Sequence, residues 1–296
     1  MSLNNKIKKR VLKQLRFQTQ QVYPGIFRPH SKPFISGDTF RNHCDHIFDE
    51  TTTLNPEKVE SNDIVFLKTD LIDLYFNYYH PKIQNKYILI THNSDQSVGE
   101  LEYSHKDEKI IHWFATNLVI TANETVSPLP IGLENKRYLS YGRIKNFEAV
   151  SKSTTNKKNK VACSFNIHTN PLVRKEILED VKKIDFISVF NADTQFNYLK
   201  ELNEYSFNLC PEGNGVETHR VWESLLLDVI PICVSNTNSL NYSALGVPMI
   251  LINNWNDLQD CKLDFLLESK KKFSTYDPLK YSQFKFWWEL ILEKKL

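Results

Sequence analysis

The stretch Phe207–Asn236 reads FNLCPEGNGVETHRVWESLLLDVIPICVSN and holds two of the 8 glycines in the 296-residue chain. The apolar runs SFNLCP and VIPICVS predict two strands, and THRVWESLLLD between them predicts a helix. The residues EGNGVE therefore form the loop that joins the first strand to the helix. In open α/β sheets, ligands bind beyond the carboxyl ends of the strands, where this loop would lie.

The loop has the backbone chemistry of an anion site. Gly213 and Gly215, with Asn214 between them, are expected to take positive φ and to let a ligand approach the backbone amides without a Cβ in the way. Thr218 is suited to cap the helix that follows. The free N–H groups at the start of a helix carry roughly half a positive charge, which attracts phosphate.

The first turns of the helix add side chains that suit a nucleoside diphosphate. Arg220 offers a permanently charged fork for phosphate oxygens. Glu223 lies three residues on, hence on the same helix face, where it could accept hydrogen bonds from ribose hydroxyls. The motif is neither G-x-G-x-x-G, because Thr218 stands at the third glycine, nor a Walker A loop. From the pattern alone, a glycine-containing turn that binds no ligand is the alternative.

Strands and helices alternate over the second half of the chain. KVACSFNIH, DFISVF, SFNLCP, VIPICVS and PMILIN predict strands, and helical patterns separate them. NPLVRKEILEDVKK is one such helix, with Pro171 in its first turn, and NDLQDCKLDFLLESKKK is another. Alternation of this kind predicts an α/β fold with a parallel, doubly wound sheet.

The first half contains fewer clear elements. NDIVFLKTDLIDLYF predicts a strand that runs into a helix, and KYILITHNS predicts a buried parallel strand. IIHWFATNLVIT predicts a helix or turn that leads into a strand. The polar segment SKSTTNKKNK, residues 151–160, suits a linker between domains. We therefore predict an N-terminal domain over 1–150, a nucleotide-binding domain over 160–275 and a final apolar helix over 276–296.

The stretch Phe207–Asn236 also resembles the donor-binding signature of exostosin-like glycosyltransferases. The shared pattern is an apolar strand, C-P-x-G, Thr or Ser, Arg, an aromatic residue or Leu, Glu, and an I-P strand. WFATNLVIT, LPIGLEN and MILINNWNDL look similar to other parts of that family. The resemblance covers most of residues 85–260, and only the block Phe207–Asn236 is specific.

The resemblance implies a fold and a reaction. Members have two Rossmann-like domains facing a central cleft, the glycosyltransferase type B fold, with a last helix that crosses back to the N-terminal domain. They transfer a sugar from a nucleotide donor with inversion, usually without a bound metal; Arg220 would hold the diphosphate and Glu223 the ribose. The chain is short and shows no anchor or stalk, which suggests a bacterial or viral relative rather than a maker of animal-type glycosaminoglycan.

Sugar transfer from a diphosphate also needs a base and a means to stabilise the leaving group. Arg174, in TNPLVR, is a second candidate for contact with the diphosphate, its alternative being a surface arginine. The base is expected from the N-terminal domain, where Asp38 and Asp95 are favoured over His92. Loop hydrogen bonding or capping is the alternative for each of these three. The segment RNHCDH lacks a second pair of ligands and favours no metal site.

Composition limits the other possible classes of function. The chain is 41% hydrophobic and 24% charged with a net charge of +2, which predicts a globular protein that does not recruit nucleic acid. The five cysteines are widely spaced without a C-x-x-C pair, so a reducing compartment, and hence a cytoplasmic location, is expected. The opening NNKIKKRVLKQLRF predicts a basic amphipathic helix, either docked on the N-terminal domain or in peripheral contact with an anionic membrane.

Three hypotheses follow for the activity. The favoured one is an inverting glycosyltransferase that uses a nucleotide sugar, preferably a UDP-sugar, and a glycan or other hydroxyl acceptor, with no metal cofactor. A second is a fucosyltransferase-like or O-glucosyltransferase-like enzyme with another nucleotide sugar. A third is a non-catalytic nucleotide or glycan binder, against which the presence of both Arg220 and Glu223 argues.

Overall fold

A computed structural model of the protein describes residues 27–138, 140–153, 156–275 and 277–295. The predicted N-terminal amphipathic helix lies outside these residues. Two parallel sheets of five strands each organise the described chain, one in each half. This is the predicted α/β class with two Rossmann-like domains, and none of the described helices is long and apolar enough to cross a membrane.

The N-terminal sheet has its strands in chain order, β1-β2-β3-β4-β5. Its central strand β3 is buried at all six positions, as expected for a parallel strand covered on both faces. The strands are β1 (His46–Phe48), β2 (Ile64–Lys68), β3 (Tyr87–His92), β4 (Ile110–Ala115) and β5 (Val126–Pro128). The helices are α1 (Gly37–Arg41), α2 (Ile72–Tyr78) and α3 (Glu100–Tyr103), with 3₁₀ turns at Pro56–Lys58, Thr69–Leu71 and His80–Lys82.

The C-terminal sheet has the order β10-β9-β8-β6-β7. The chain passes from β6 outward to β7, then returns to the other side of β6 as β8, so the strand order reverses between β6 and β8. Open α/β sheets bind ligands outside the carboxyl ends of strands at such a reversal. The strands are β6 (Lys158–Cys163), β7 (Ile187–Val189), β8 (Tyr205–Leu209), β9 (Ile230–Val234) and β10 (Ile250–Ile252).

The helices of this half begin before the predicted linker. They are α4 (Ile144–Ser151), α5 (Pro171–Val181), α6 (Gln195–Leu202), α7 (His219–Leu226), α8 (Thr237–Ala244), α9 (Asp257–Asp260) and α10 (Leu263–Lys272), with a 3₁₀ turn at Ile167–Thr169. Helix α4 lies within the predicted N-terminal domain, yet it packs on α6, and Asn146 donates to Gln195 Oε1 at 2.9 Å. The domain boundaries remain predictions.

Two local predictions were wrong. Ile110–Ala115 is a strand from its first residue, because its β-branched and aromatic side chains pair with β3 in the sheet interior. The long helix predicted from NDLQDCKLDFLLESKKK is broken into α9 and α10. Its backbone is extended at Cys261 and Lys262, with ψ of 132° and 143°.

The C-terminal segment crosses back to the N-terminal domain, as predicted. It forms α11 (Pro278–Ser282) and α12 (Phe284–Leu292). Phe284 packs on Phe40 at a ring distance of 5.5 Å, whereas Trp287 packs edge-on against Trp222 of the C-terminal domain at 5.8 Å. One apolar cluster therefore runs from the N-terminal sheet through this segment to the C-terminal helices.

Candidate functional site

Loops that follow strands of the N-terminal sheet contact the glycine loop that follows β8 of the C-terminal sheet. Gly213 N–H donates to Gly215 O at 3.1 Å, and α7 begins at His219 with Thr218 as its extended N-cap residue. The prediction that Thr218 is the N-cap residue of this helix is confirmed. Its side chain makes no capping hydrogen bond, however, so the hydroxyl does not have the predicted role. The hydroxyl is left for other partners at the start of the helix.

The two glycines do not have the predicted backbone conformation, and both allow close packing. Neither Gly213 nor Gly215 has φ in the left-handed region, so the predicted positive φ was wrong. A Cβ at Gly215 would lie 3.0 Å from both side-chain ends of Asn117 and from the carbonyl oxygen of Asp95. A Cβ at Gly213 would lie 3.2 Å from Arg174 Nη2. Gly215 thus permits close approach of the N-terminal domain, and Gly213 permits close approach of a buried guanidinium.

Arg220 lies at the strand reversal of the C-terminal sheet. Its Nε donates to the carbonyl oxygen of Ser164, one residue past β6, at 2.7 Å. The side chain is half-buried, and its two terminal nitrogens make no hydrogen bond or ion pair with any residue that the structure describes. The guanidinium is therefore held in place by one nitrogen while the other two are free to bind an anion.

Glu223 lies one helical turn after Arg220 and is buried. Burial raises the pKa of the Glu223 carboxyl, and the charges of Arg220 and His219 oppose that rise. Tyr198 on α6 is a further neighbour of this carboxyl. The structure thus places Arg220 and Glu223 within interaction range, while their predicted contacts with diphosphate and ribose remain predictions.

The Arg174 side chain donates hydrogen bonds to backbone carbonyl oxygens in and near the glycine loop. Its Nε donates to Glu212 O at 2.8 Å, and its Nη2 donates to Pro211 O at 2.9 Å. Its Nη1 donates to Asn166 O at 2.9 Å and also to Thr169 Oγ1. Burial lowers the pKa of Arg174 to about 10, with Arg220 adding to the effect. The side chain thus holds the backbone of the glycine loop at Pro211 and Glu212. Direct contact of Arg174 with a diphosphate remains a prediction.

Asp95 is the candidate base that faces the loop. It is exposed, follows β3, and accepts a hydrogen bond from Asn214 Nδ2 to its Oδ2 at 3.1 Å. Its carbonyl oxygen is the one that approaches Gly215. The structure therefore brings together residues that are 119 positions apart in the chain.

Asp38 and His92 lie deeper in the N-terminal domain. The Asp38 carboxylate has no exposed area and lies 3.6 Å from Arg28 Nη1 and 3.3 Å from Arg137 Nε. Burial raises the pKa of Asp38, and these arginines offset only part of the rise. His92 Nε2 donates to Pro130 O at 3.0 Å and its Nδ1 accepts from Asn93 N–H at 2.7 Å. Burial lowers the pKa of His92 to about 4, so the ring is neutral with both nitrogens occupied.

Several residues at this junction did not appear among the predicted ones. Glu217 and Asn117 join the glycine loop to the N-terminal domain, and His219 Nδ1 donates to Gly132 O at 2.7 Å. Such pairs span about a hundred positions and have no local pattern. A hint was available for His219 and Glu217, since both lie within the specific block and are polar residues flanked by apolar strands.

A cavity of about 430 Å³ opens beside the loop. Three asparagines are among its lining residues, and the buried Trp255 Nε1 has no hydrogen-bond partner among the described residues. Neither Arg220 nor Glu223 lines it. The lining residues are Ser97, Asn170, Val173, Glu212, Gly213, Asn214, Gly215, Val216, Val234, Asn254 and Trp255.

The RNHCDH segment does not gather metal ligands. His43 Nδ1 donates to Thr39 O at 2.7 Å and packs on Phe284, whereas His46 Nε2 contacts Asp63 Oδ2 at 2.8 Å. Across the described ranges, no three His, Cys, Asp or Glu side chains are grouped so that they could hold a metal ion.

The chain is similar to known proteins in structure but not in sequence. No protein-family model and no curated protein sequence matches the chain. The spinosyn rhamnosyltransferase SpnG is similar at 8% identity and a TM-score of 0.40, over 78% of this chain and 68% of that one. The GtfA/B complex is similar at 10% identity and a TM-score of 0.41, over 80% of this chain and 58% of that one. No residue role is carried over from either, and the exostosin-like resemblance remains a prediction.

Proposed function

We propose that the protein is a glycosyltransferase that transfers a sugar from a nucleoside-diphosphate sugar, preferably a UDP-sugar, to a hydroxyl acceptor with inversion. The observation that supports this proposal most directly is the hydrogen bonding of the Arg220 guanidinium. Its Nε is anchored to Ser164 O near the start of α7, and its two terminal nitrogens make no hydrogen bond or ion pair with the described residues. A guanidinium fork beside a helix start suits a diphosphate.

The proposed reaction is a single displacement. The acceptor oxygen attacks the anomeric carbon from the face opposite the diphosphate, the bond to the diphosphate oxygen breaks, and the acceptor's proton passes to a base. Arg220 and the N–H groups at the start of α7 stabilise the charge that grows on the leaving diphosphate. Glu223 accepts hydrogen bonds from the ribose. The two positive groups allow the step to proceed without a bound metal.

We assign the base to Asp95 among the three candidates. Its carboxylate is exposed at the carboxyl end of β3 and faces the glycine loop, which is the position a proton acceptor needs. Asp38 has no exposed area and has arginines for neighbours. The lone pair of His92 is used by the Asn93 N–H, so the ring has no free acceptor.

Calorimetric titration with UDP in the presence of a chelator tests the donor site. Arg220→Ala should weaken binding by about 1.5–3 kcal/mol, the scale of a hydrogen bond to a charged group. Arg220→Lys should restore only part of the loss, because an ammonium cannot form the planar fork. Lys175→Ala, at an exposed position of α5, is the matched control for the loss of one positive charge and should bind like the parent.

The reaction itself is measured by release of nucleoside diphosphate from a panel of nucleotide sugars. Slow release from one donor, accelerated by a hydroxyl acceptor, is expected. Binding that appears only with added manganese would overturn the metal-free proposal. Unchanged UDP affinity in Arg220→Ala would remove Arg220 from the donor site.

A further inference from the structure

Glu217 lies between the glycine loop and α7 and joins the two domains through its side chain. Its Oε1 accepts from the Ile131 backbone N–H at 2.9 Å and from Trp222 Nε1 at 2.6 Å. Its Oε2 accepts from the Tyr242 hydroxyl at 3.0 Å. Ile131 follows β5 in the N-terminal domain, whereas Trp222 and Tyr242 belong to α7 and α8.

The backbone at the same position is held from the other domain as well. The Glu217 N–H donates to Asn117 Oδ1 at 3.0 Å, and Asn117 Nδ2 donates to Ser94 O at 3.2 Å. Asn117 itself has φ of 55°, in the left-handed region that asparagine tolerates better than most residues. The chain between Gly215 and His219 is thus fixed to loops that follow β3, β4 and β5.

We propose that Glu217 is a positioning residue, which fixes the start of α7, and Arg220 with it, against the N-terminal loop at Ile131. This inference rests on the proposed function, because its purpose is to hold the donor site opposite the acceptor side. Positioning of reacting groups matters steeply, since a misplacement of about 1 Å can cost roughly 10²-fold in rate.

The chemistry of the contact supports a specific role. Glu217 is only 7% exposed, and its hydrogen bonds come from neutral donors rather than from a cation. A buried carboxyl in such a setting is costly compared with an amide. The neighbouring domain contacts do use amides: Asn241 accepts from Ala122 N–H at 3.0 Å, and Asn238 Nδ2 lies 3.4 Å from Leu118 O.

Hydrogen exchange measured by mass spectrometry tests the contact without any substrate. Glu217→Ala should accelerate exchange of the Ile131 amide by about tenfold or more, as expected when a hydrogen bond to a carboxylate is lost. Exchange in the segment 120–122 should stay unchanged. Asn241→Ala is the matched control, since it removes a domain contact away from the loop and should give the reverse pattern.

Glu217→Gln should keep protection at Ile131, because the amide oxygen can replace Oε1. If Glu217→Ala fails to fold, Glu217→Leu takes its place, because leucine fills a similar volume without an oxygen that could accept from the Ile131 N–H. Protection of Ile131 equal to the parent's in either variant would overturn the proposed contact.

Donor chemistry then tests the positioning role. Glu217→Ala should keep UDP affinity within a few-fold while the ratio of donor hydrolysis to sugar transfer rises by roughly 10²-fold. Asn241→Ala should leave that ratio near the parent's. An unchanged ratio in Glu217→Ala would remove the positioning role. Absence of UDP binding and transfer in the parent would instead overturn the proposed function, and the exchange result would still decide the domain contact.

Discussion

Arg174 and Arg220 of the C-terminal domain were both predicted to contact the diphosphate, but their hydrogen bonds in the structure differ. Arg174 donates through all three of its nitrogens to backbone or hydroxyl oxygens around the loop. Arg220 donates through Nε alone within the described chain. The residue type and the spacing could not separate them, because a guanidinium suits carbonyl oxygens as well as phosphate oxygens. Only the folded structure shows which of the two arginines has N–H groups that make no hydrogen bond to the described protein.

This difference predicts losses of stability of different size. Arg174→Ala should lower the free energy of unfolding by roughly 1–3 kcal/mol, because the buried carbonyl of Pro211 and the partly buried carbonyl of Glu212 lose the donor they have from this side chain. Arg220→Ala should change it by less than about 0.5 kcal/mol in the absence of ligand. Denaturant unfolding of both variants measures this. Equal losses in the two would show that Arg220 is a structural residue.

The aspartates also separate by surroundings. Asp95→Asn should lower turnover by roughly 10²–10⁴-fold, as for loss of a general base, with ligand-free stability unchanged. Asp38→Asn should lower the free energy of unfolding by at least about 1 kcal/mol, because Arg28 and Arg137 lose a buried counter-charge. Turnover and thermal unfolding are measured on both. Normal turnover in Asp95→Asn would exclude it as the base.

At the scale of elements, the regular half of the chain was predictable from its pattern. Strands such as β8 and β9 are short apolar runs, and α5 begins at Pro171 with Asn170 as its cap. These features depend on neighbouring residues and so appear in the sequence. The glycine loop shows the limit of such prediction. Its position was predicted, but the close packing of Asp95 and Asn117 on Gly215 was not, because these residues are distant from the loop in the sequence.

The C-terminal helix α12 was predictable for a physical reason, since a helix so rich in aromatics must bury them. Trp287 is 1% exposed, donates its indole N–H to Tyr281 O at 2.8 Å, and packs against Trp222 and Tyr242. Trp287→Ala should lower the free energy of unfolding by roughly 3–5 kcal/mol. Glu289→Ala, an exposed control on the same helix, should cost less than about 0.5 kcal/mol. Similar melting temperatures for both would contradict the crossing helix as a structural element.

At the scale of the whole molecule, the two domains are joined by more than the covalent chain. One apolar cluster runs through both domains and α12, and polar contacts connect Glu217 to Ile131 and Asn241 to Ala122. Interfaces that are large and apolar restrict domain motion. Titration of a group buried at this junction, such as Glu217, therefore changes the free energy of unfolding of the whole protein.

Glu217 gives that response a definite sign. Burial raises its pKa to about 7 in the folded protein, from an ordinary value near 4.5, against the effect of its three hydrogen bonds. Its titratable neighbours are His219, Tyr242 and Cys233. Between these two pH values the folded chain holds a proton on Glu217 that the unfolded chain has lost. Raising the pH through this window therefore lowers the contribution of Glu217 to stability, by at most about 1.4 kcal/mol per pH unit.

The variant Glu217→Gln isolates this contribution, because glutamine keeps the shape and does not titrate. Other groups move the stability of both proteins alike; His92, for example, has its pKa lowered to about 4 and adds stability as the pH rises from 4 to 6.5. The difference between variant and parent should therefore grow in favour of the variant from about pH 4.5 to pH 7 and stay level above it. Urea unfolding of the two proteins across this range measures the difference directly. A difference that is flat with pH would show that Glu217 stays ionised throughout, and that its three donors outweigh its burial.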